Sequence, residues 1–172
     1  MKIVNTFVKG LYAFKYDGHL LDELERLLEE WGDIEGLENF FEQNENDLSY
    51  FKLDIYSAIN DTIKESMRLR KFLFEISKAK PSILDEIFRP LDNLEYRVIT
   101  LSKQKASRRW LRLYAIRIEA NHYVITGGAI KLTHKMQDRE HTQRELHKLE
   151  KCRSFLQLNG IFDTDSFNEF TL

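Results

Sequence analysis

Cysteine is almost absent from this chain. Cys152 stands alone, so neither an intrachain disulfide nor a cysteine-based zinc site can form. Proline occurs only at 81 and 90, and there are seven glycines in 172 residues. So few chain breakers favour long helices and well-ordered strands. No apolar run approaches the roughly 18 residues of a membrane span. The first stretch, "MKIVNTFVKGLYAFKYDG", lacks the apolar run and small-residue cleavage site of a signal peptide. A cytoplasmic protein with no membrane segment is therefore expected. Three catalytic signatures are also missing: G-x-x-x-x-G-K-[ST], G-x-S-x-G and H-E-x-x-H. No cofactor motif is present, and no cofactor or metal is expected. His134, His141 and His147 lie close in sequence. However, His141 and His147 would sit about 240° apart around a helix.

What is present suits one domain over residues 1–172. Hydrophobic residues make up 42% and aromatic residues 12%, enough to build a core. The formal net charge of -2 hides a polarity: residues 1–94 sum to -7, while 97–153 hold 14 basic against 5 acidic side chains, or +9. Such a molecule can turn its basic part toward a polyanion, or the two parts can neutralise each other within the fold.

The periodicities predict α+β. Phe7 to Tyr16 read as a strand ended by Asp17-Gly18. Leu20, Leu21, Leu24, Leu27, Leu28 and Trp31 form a helical stripe with an acidic opposite face. Gly32 stops that helix, and Asp33 caps the next, to about Gln43. Ser49 to Lys78 reads as one long helix, with a break near Leu53 allowed. Its apolar stripe is Ile55, Ile59, Ile63, Met67, Arg70 and Phe74. Ser82 is placed to cap a short helix ending before Pro90. The helical part thus spans about 17–90.

A meander and a last helix follow over about 91–160. "EYRVITLS" and "RRWLRLYAIRI" read as strands, Ala120-Asn121 as a tight reversal, and "HYVITGGAIKL" as the return strand. Thr142 and Glu145 match the T-x-x-E capping box, and Asn159-Gly160 closes the helix. Gly127-Gly128 is not followed by a helix, as a phosphate loop would be. A bulge, a close approach to backbone, or a two-residue turn are the structural alternatives. Cys152 reads as an inert helical thiol.

The basic residues Arg108, Arg109, Arg112, Arg117, Lys131, Lys135, Arg139 and Arg144 come from two neighbouring strands and the loop beyond. Arg112 and Tyr114 share a face by period two, and such a surface binds phosphates and stacks on bases. His134, near Lys135, can act as a general acid or a phosphate contact.

With these elements in order, the chain resembles the RelE/ParE toxin superfamily. The stretch "FRPLDN" to "RSFL" is most similar to its Gp49-like/HigB branch, and the likeness covers about residues 82–157. There a strand with a glycine-containing end leads through a basic stretch into a helix, here "VITGGAIKLTHKMQDREHTQREL". The resemblance implies a small toxin-type protein of a toxin–antitoxin system, with RNA or the ribosome and an antitoxin as partners. It also implies a metal-independent mRNA endoribonuclease. His134, Lys135 and Tyr114 would be its catalytic residues, and Arg112, Arg117, Lys131 and Arg139 would hold nucleic acid. The alternative is a non-enzymatic interaction module of the same fold, whose sheet or acidic helices bind a protein.

Overall fold

The computed structural model describes residues 1–80, 82–91 and 100–171. Its elements run β1 (Lys2–Asn5), β2 (Leu11–Lys15), α1 (Glu23–Glu30), α2 (Ile34–Gln43), α3 (Glu45–Leu48), α4 (Ile55–Ile76), α5 (Leu84–Ile87) and β3 (Arg89–Pro90). They continue with β4 (Ser102–Arg108), β5 (Leu111–Glu119), β6 (His122–Ile130), α6 (Glu140–Leu158) and α7 (Thr164–Thr171). The strands form one sheet in the order β1-β2-β6-β5-β4-β3. The β2–β6 pair is parallel and the other pairs are antiparallel, so the protein is α+β with a mixed sheet.

Helices cover both faces of the sheet. On one face Leu11, Ala13, Leu111, Leu113, Ala115 and Ile125 pack under Leu24 and Leu27 of α1, Trp31 just after it, Leu37 and Phe41 of α2 and Leu73 of α4. On the other, Phe14, Tyr114, Ile116, Ile118 and Val124 pack under Leu149, Cys152, Leu156 and Phe167 of α6 and α7. The alternation of β5 decides this split: odd positions 111, 113 and 115 take the first face, even positions 114, 116 and 118 the second. No helix among the described residues is long and apolar enough to cross a membrane.

Several local expectations agree with the structure. Asp33 Oδ2 accepts from the Gly36 amide and caps α2. Asn121, at a φ of 56°, turns β5 into β6, and Gly160, at 69°, follows α6. The long helix does break: Lys52 adopts a φ of 54°, and Asp54 caps α4 through the Ser57 amide.

Other expectations are corrected. The strand over Phe7–Tyr16 is instead the second arm of a β1–β2 hairpin and begins at Leu11. "RRWLRLYAIRI" is not one strand: β4 ends at Arg108, and Arg109, at a φ of 51°, turns the chain at Trp110 into β5. Of "EYRVITLS", residues 95–99 lie outside the described residues. Ser82 does not cap α5, whose preceding residue is Ile83, without a side-chain cap. Helix α6 starts at Glu140, so Thr142 lies within its first turn and its hydroxyl donates back to the Met136 and Arg139 carbonyls. The capping box therefore does not form. Leu20 is 91% exposed, and on α4 Met67 and Phe74 face outward while Ala58, Thr62, Leu69 and Leu73 face the sheet. Trp110 explains that rotation, since its indole Nε1 donates to Thr62 Oγ1 at 2.9 Å and draws the Thr62 side inward.

Strand β6 carries a bulge that positions the candidate site. Tyr114 pairs with Gly127 but Ala115 pairs with Ile125, leaving Thr126 as an extra residue. The insertion reverses the alternation beyond it. Tyr123 and Ile125 face α1, whereas Ala129 faces α6. The bulge carbonyl of Thr126 accepts from Tyr16 Oη at 2.7 Å, and the Thr126 hydroxyl donates to the Tyr114 carbonyl at 3.2 Å.

Candidate functional site

At the end of the meander next to the β4–β5 turn, a cleft of about 540 Å³ opens between the sheet and α6. Its floor is cut from two paired strands: Lys105 of β4 lies opposite Tyr114 of β5, and Ser107 opposite Arg112. Lys131 joins them from just past β6, because the Thr126 bulge has moved it to this face. Its amide donates to the Trp110 carbonyl at 2.8 Å and continues the ladder. His134, Lys135 and Met136 form one wall, and Leu146, His147 and Glu150 of α6 form another.

The electrostatics of this cleft are one-sided. Among the described residues it is lined by Lys103, Lys105, Arg112, Lys131 and Lys135 against one carboxylate, Glu150, which sits 3.2 Å from Lys103. The Arg112 guanidinium donates to the carbonyls of Arg109 and Leu111 at 2.5 and 2.9 Å. Among the described residues no carboxylate pairs with Arg112, Lys105 or Lys131. Burial holds the Arg112 guanidinium below its ordinary pKa. Burial, and then repulsion from Arg112 and Lys105, depresses the Lys131 ammonium as well. A lysine whose proton affinity is lowered by neighbouring cations gains when an anion enters between them.

Tyr114 is fully buried, and among the described residues its hydroxyl has no hydrogen-bond partner. Burial pushes the phenol's pKa far up, so the group stays protonated and can donate a hydrogen bond into the cleft. An orphaned hydroxyl costs roughly 1–3 kcal/mol, which a bound acceptor would relieve.

Five expected site residues thus meet at one cleft: Arg112, Tyr114, Lys131, His134 and Lys135. Arg117 and Arg139 do not. Arg117 stands five residues from Arg112, an odd step, and so lies on the opposite face of β5. There it bonds Asp85, which also accepts from Tyr123 Oη and the Asn121 amide. Burial works against that carboxylate, yet these bonds hold it below the ordinary range. Arg139 grips Asp47 through Nε and Nη2 at 2.8 and 2.5 Å, tying the start of α6 to α3. Both are anchoring ion pairs.

Lys103, Lys105 and Ser107 were missed from sequence, and His147 was weighed only as a metal ligand. The signal was the alternation in "SKQKAS". It becomes readable only when the hairpin turn is placed at Arg109-Trp110 rather than inside an extended strand.

Behind this cleft, α1 and α6 meet around the edge of β6, whose pairing with β2 covers only Tyr123–Ile125. Glu23, 1% exposed, receives Lys148 Nζ at 2.6 Å and Arg26 Nε at 2.9 Å. Burial opposes its ionisation, but the Arg26 and Lys148 bonds win and lower its pKa. Glu145, largely buried beside it and with Oε2 unpartnered among the described residues, is shifted up chiefly by burial. The Cys152 thiol, 3.0 Å from Tyr16 Oη, is pushed up by burial to about 11 and stays a thiol. Gly127 makes room for this network, because a Cβ there would collide with the Glu145 carboxylate. Gly128 serves the other face, where a Cβ would lie 2.5 Å from the Arg112 carbonyl and 2.8 Å from Leu27. Bulge and close approach both apply; the pair is neither a phosphate loop nor a hairpin turn.

No family model, curated protein or solved structure matches the chain.

Proposed function

We propose that the cleft is a phosphate site for RNA and that the protein is a RelE/HigB-like toxin-type endoribonuclease acting without a metal. The observation that carries this is the cluster of Arg112, Lys105 and Lys131, which no carboxylate pairs among the described residues, around the Tyr114 hydroxyl. Arg112 and Lys131 hold the scissile phosphate and stabilise the charge that builds on its oxygens during attack. Tyr114 donates a hydrogen bond; a buried phenol is unsuited to taking a proton. In the reaction the ribose 2′-hydroxyl attacks phosphorus and the bond to the 5′-oxygen breaks. The 2′ proton passes to a base, and the 5′-oxygen takes one from an acid, leaving a cyclic phosphate and a 5′-hydroxyl. His134 and Lys135, both exposed at the rim, fill the base and acid roles. A paired antitoxin would cover this rim.

The test is RNA binding by the purified protein across a salt series, with cleavage read on the same RNA. Binding should weaken with salt, by about 0.7 in the log–log slope for each phosphate held. Lys131→Ala and Arg112→Ala should each cost roughly 10- to 150-fold in affinity, the range for hydrogen bonds to a charged group. Absence of RNA binding at low salt would overturn the proposal. Binding without cleavage, and without growth arrest on induced expression, would remove the ribonuclease and toxin assignments and leave the phosphate site.

A second reading, a non-enzymatic module that binds a protein, is favoured by the outer face of α4. Tyr56, Met67 and Phe74 are 76%, 67% and 54% exposed there. It expects no RNA binding at any salt concentration.

A further inference from the structure

A second hollow, of about 520 Å³, adjoins the basic cleft and shares Arg112, Lys131 and His134 with it. Its character is different. Phe51, Trp110 and Leu132 give it an apolar floor, and Tyr50 stands at its mouth with 76% of its surface exposed. The ring of Tyr50 meets that of Phe51 edge-on at 5.6 Å and that of His134 at 6.5 Å. The Arg109 guanidinium lies 4.3 Å above the Trp110 ring and closes one side. A large, flat, solvent-facing aromatic gains little by itself in water, and none of the described residues covers this one. The hollow is wide enough for a heterocycle and is bordered by polar atoms of Asp47, Thr133 and Asp138.

We infer that this hollow is a nucleobase subsite, in which an unpaired base of single-stranded RNA stacks on Tyr50 while its neighbouring phosphate lies between Arg112 and Lys131. The inference rests on the phosphate site proposed above and adds the form of the substrate. Continuity is the first argument: the same two cations border both hollows, so a chain held by its phosphate at Arg112 and Lys131 delivers the adjoining base to the apolar side. Chemistry is the second. Base stacking requires an aromatic face without demanding particular hydrogen-bond partners, and it is open only to bases not already stacked in a duplex. Tyr50 arrives from the turn between α3 and α4, far in sequence from the meander that supplies the cations. The N-terminal helices thereby contribute to the RNA surface, and the substrate is single-stranded.

Tyr50 is exposed, so Tyr50→Ala and Tyr50→Phe should both fold as the wild type does. The probes are a single-stranded RNA oligonucleotide and the same sequence annealed as a duplex, titrated by fluorescence anisotropy over a salt series. Tyr50→Ala should weaken single-strand binding by roughly 5- to 150-fold, the range found for one lost base stack. It should leave the salt slope unchanged and should not alter duplex binding. Tyr50→Phe should retain single-strand affinity, since the ring is kept. Lys131→Ala should lower the salt slope by about 0.7. If single-stranded RNA binds with a Lys131-dependent slope but Tyr50→Ala changes nothing, the subsite is overturned and the phosphate site stands. A Tyr50→Ala effect equally large on duplex would also overturn it. Failure of wild-type protein to bind either RNA would overturn both.

Discussion

Gly127 and Gly128 are adjacent, yet each answers a different neighbour. At Gly127 a new methyl group would meet the tips of Glu145 and Lys148, side chains that can yield in part. At Gly128 it would meet the backbone carbonyl of Arg112, which cannot move without shifting β5. Gly128→Ala should therefore cost about 1–3 kcal/mol, the usual range for overpacking, and Gly127→Ala less. Urea denaturation of the two variants gives the order directly. Because the carbonyl struck at Gly128 belongs to Arg112, only Gly128→Ala should also reduce RNA affinity. An equal loss of affinity in both would contradict this geometry.

Among the elements, β6 controls the candidate site. Read by simple alternation from Tyr123 and Ile125, position 131 would share their face and point toward α1. Thr126 is the extra residue that sends Lys131 to the face of Arg112 and Tyr114 instead. Its carbonyl is held by Tyr16 from β2 side of the sheet, at 2.7 Å. Tyr16→Phe removes that donor and the partner of the Cys152 thiol. The expected loss is about 1–3 kcal/mol, the cost of a buried group left unsatisfied. Faster amide hydrogen exchange along Gly127–Ile130 than along β5 would show that the bulge has loosened; uniform exchange would show that Tyr16 does not secure it.

Across the whole molecule, the Glu23–Arg26–Lys148 network ties α1 to α6 around the edge of β6. Glu23 and Glu145, both partners of Lys148, shift in opposite directions, so their pH effects have opposite signs. Glu23 has a folded pKa below its ordinary value of 4.5, so its contribution is present above that pH and is lost as pH falls through the folded pKa. Glu145 is raised, so its contribution is complete below the unfolded pKa and is lost as pH rises through the folded one. Glu23→Gln should destabilise by about 2 kcal/mol near neutral pH, and by less in acid. This lies below the ~3–5 kcal/mol of a fully buried pair because Arg26 and Lys148 remain about a quarter exposed. Glu145→Gln should gain on the wild type as pH rises above the carboxylate range. Unfolding midpoints from pH 4 to 8 would test both signs at once.

Whatever depends on neighbours along the chain is legible in the amino-acid order alone. The segregation of helices and strands, the cap at Asp33, the reversal at Asn121, the stop at Gly160 and the basic segment 97–153 all follow from local propensity, backbone conformation and composition. That order also brought Arg112, Tyr114, Lys131, His134 and Lys135 under suspicion, though Lys131 reached the shared face by a bulge that simple alternation does not foresee. Tertiary structure alone decided the rest. It placed Lys105 opposite Tyr114, gave Arg117 to Asp85 and Arg139 to Asp47, and turned Met67 and Phe74 of α4 outward. The reason is physical: a periodicity describes one element in isolation, whereas strand register, ion pairing and the choice of buried helix face are set by partners distant in sequence.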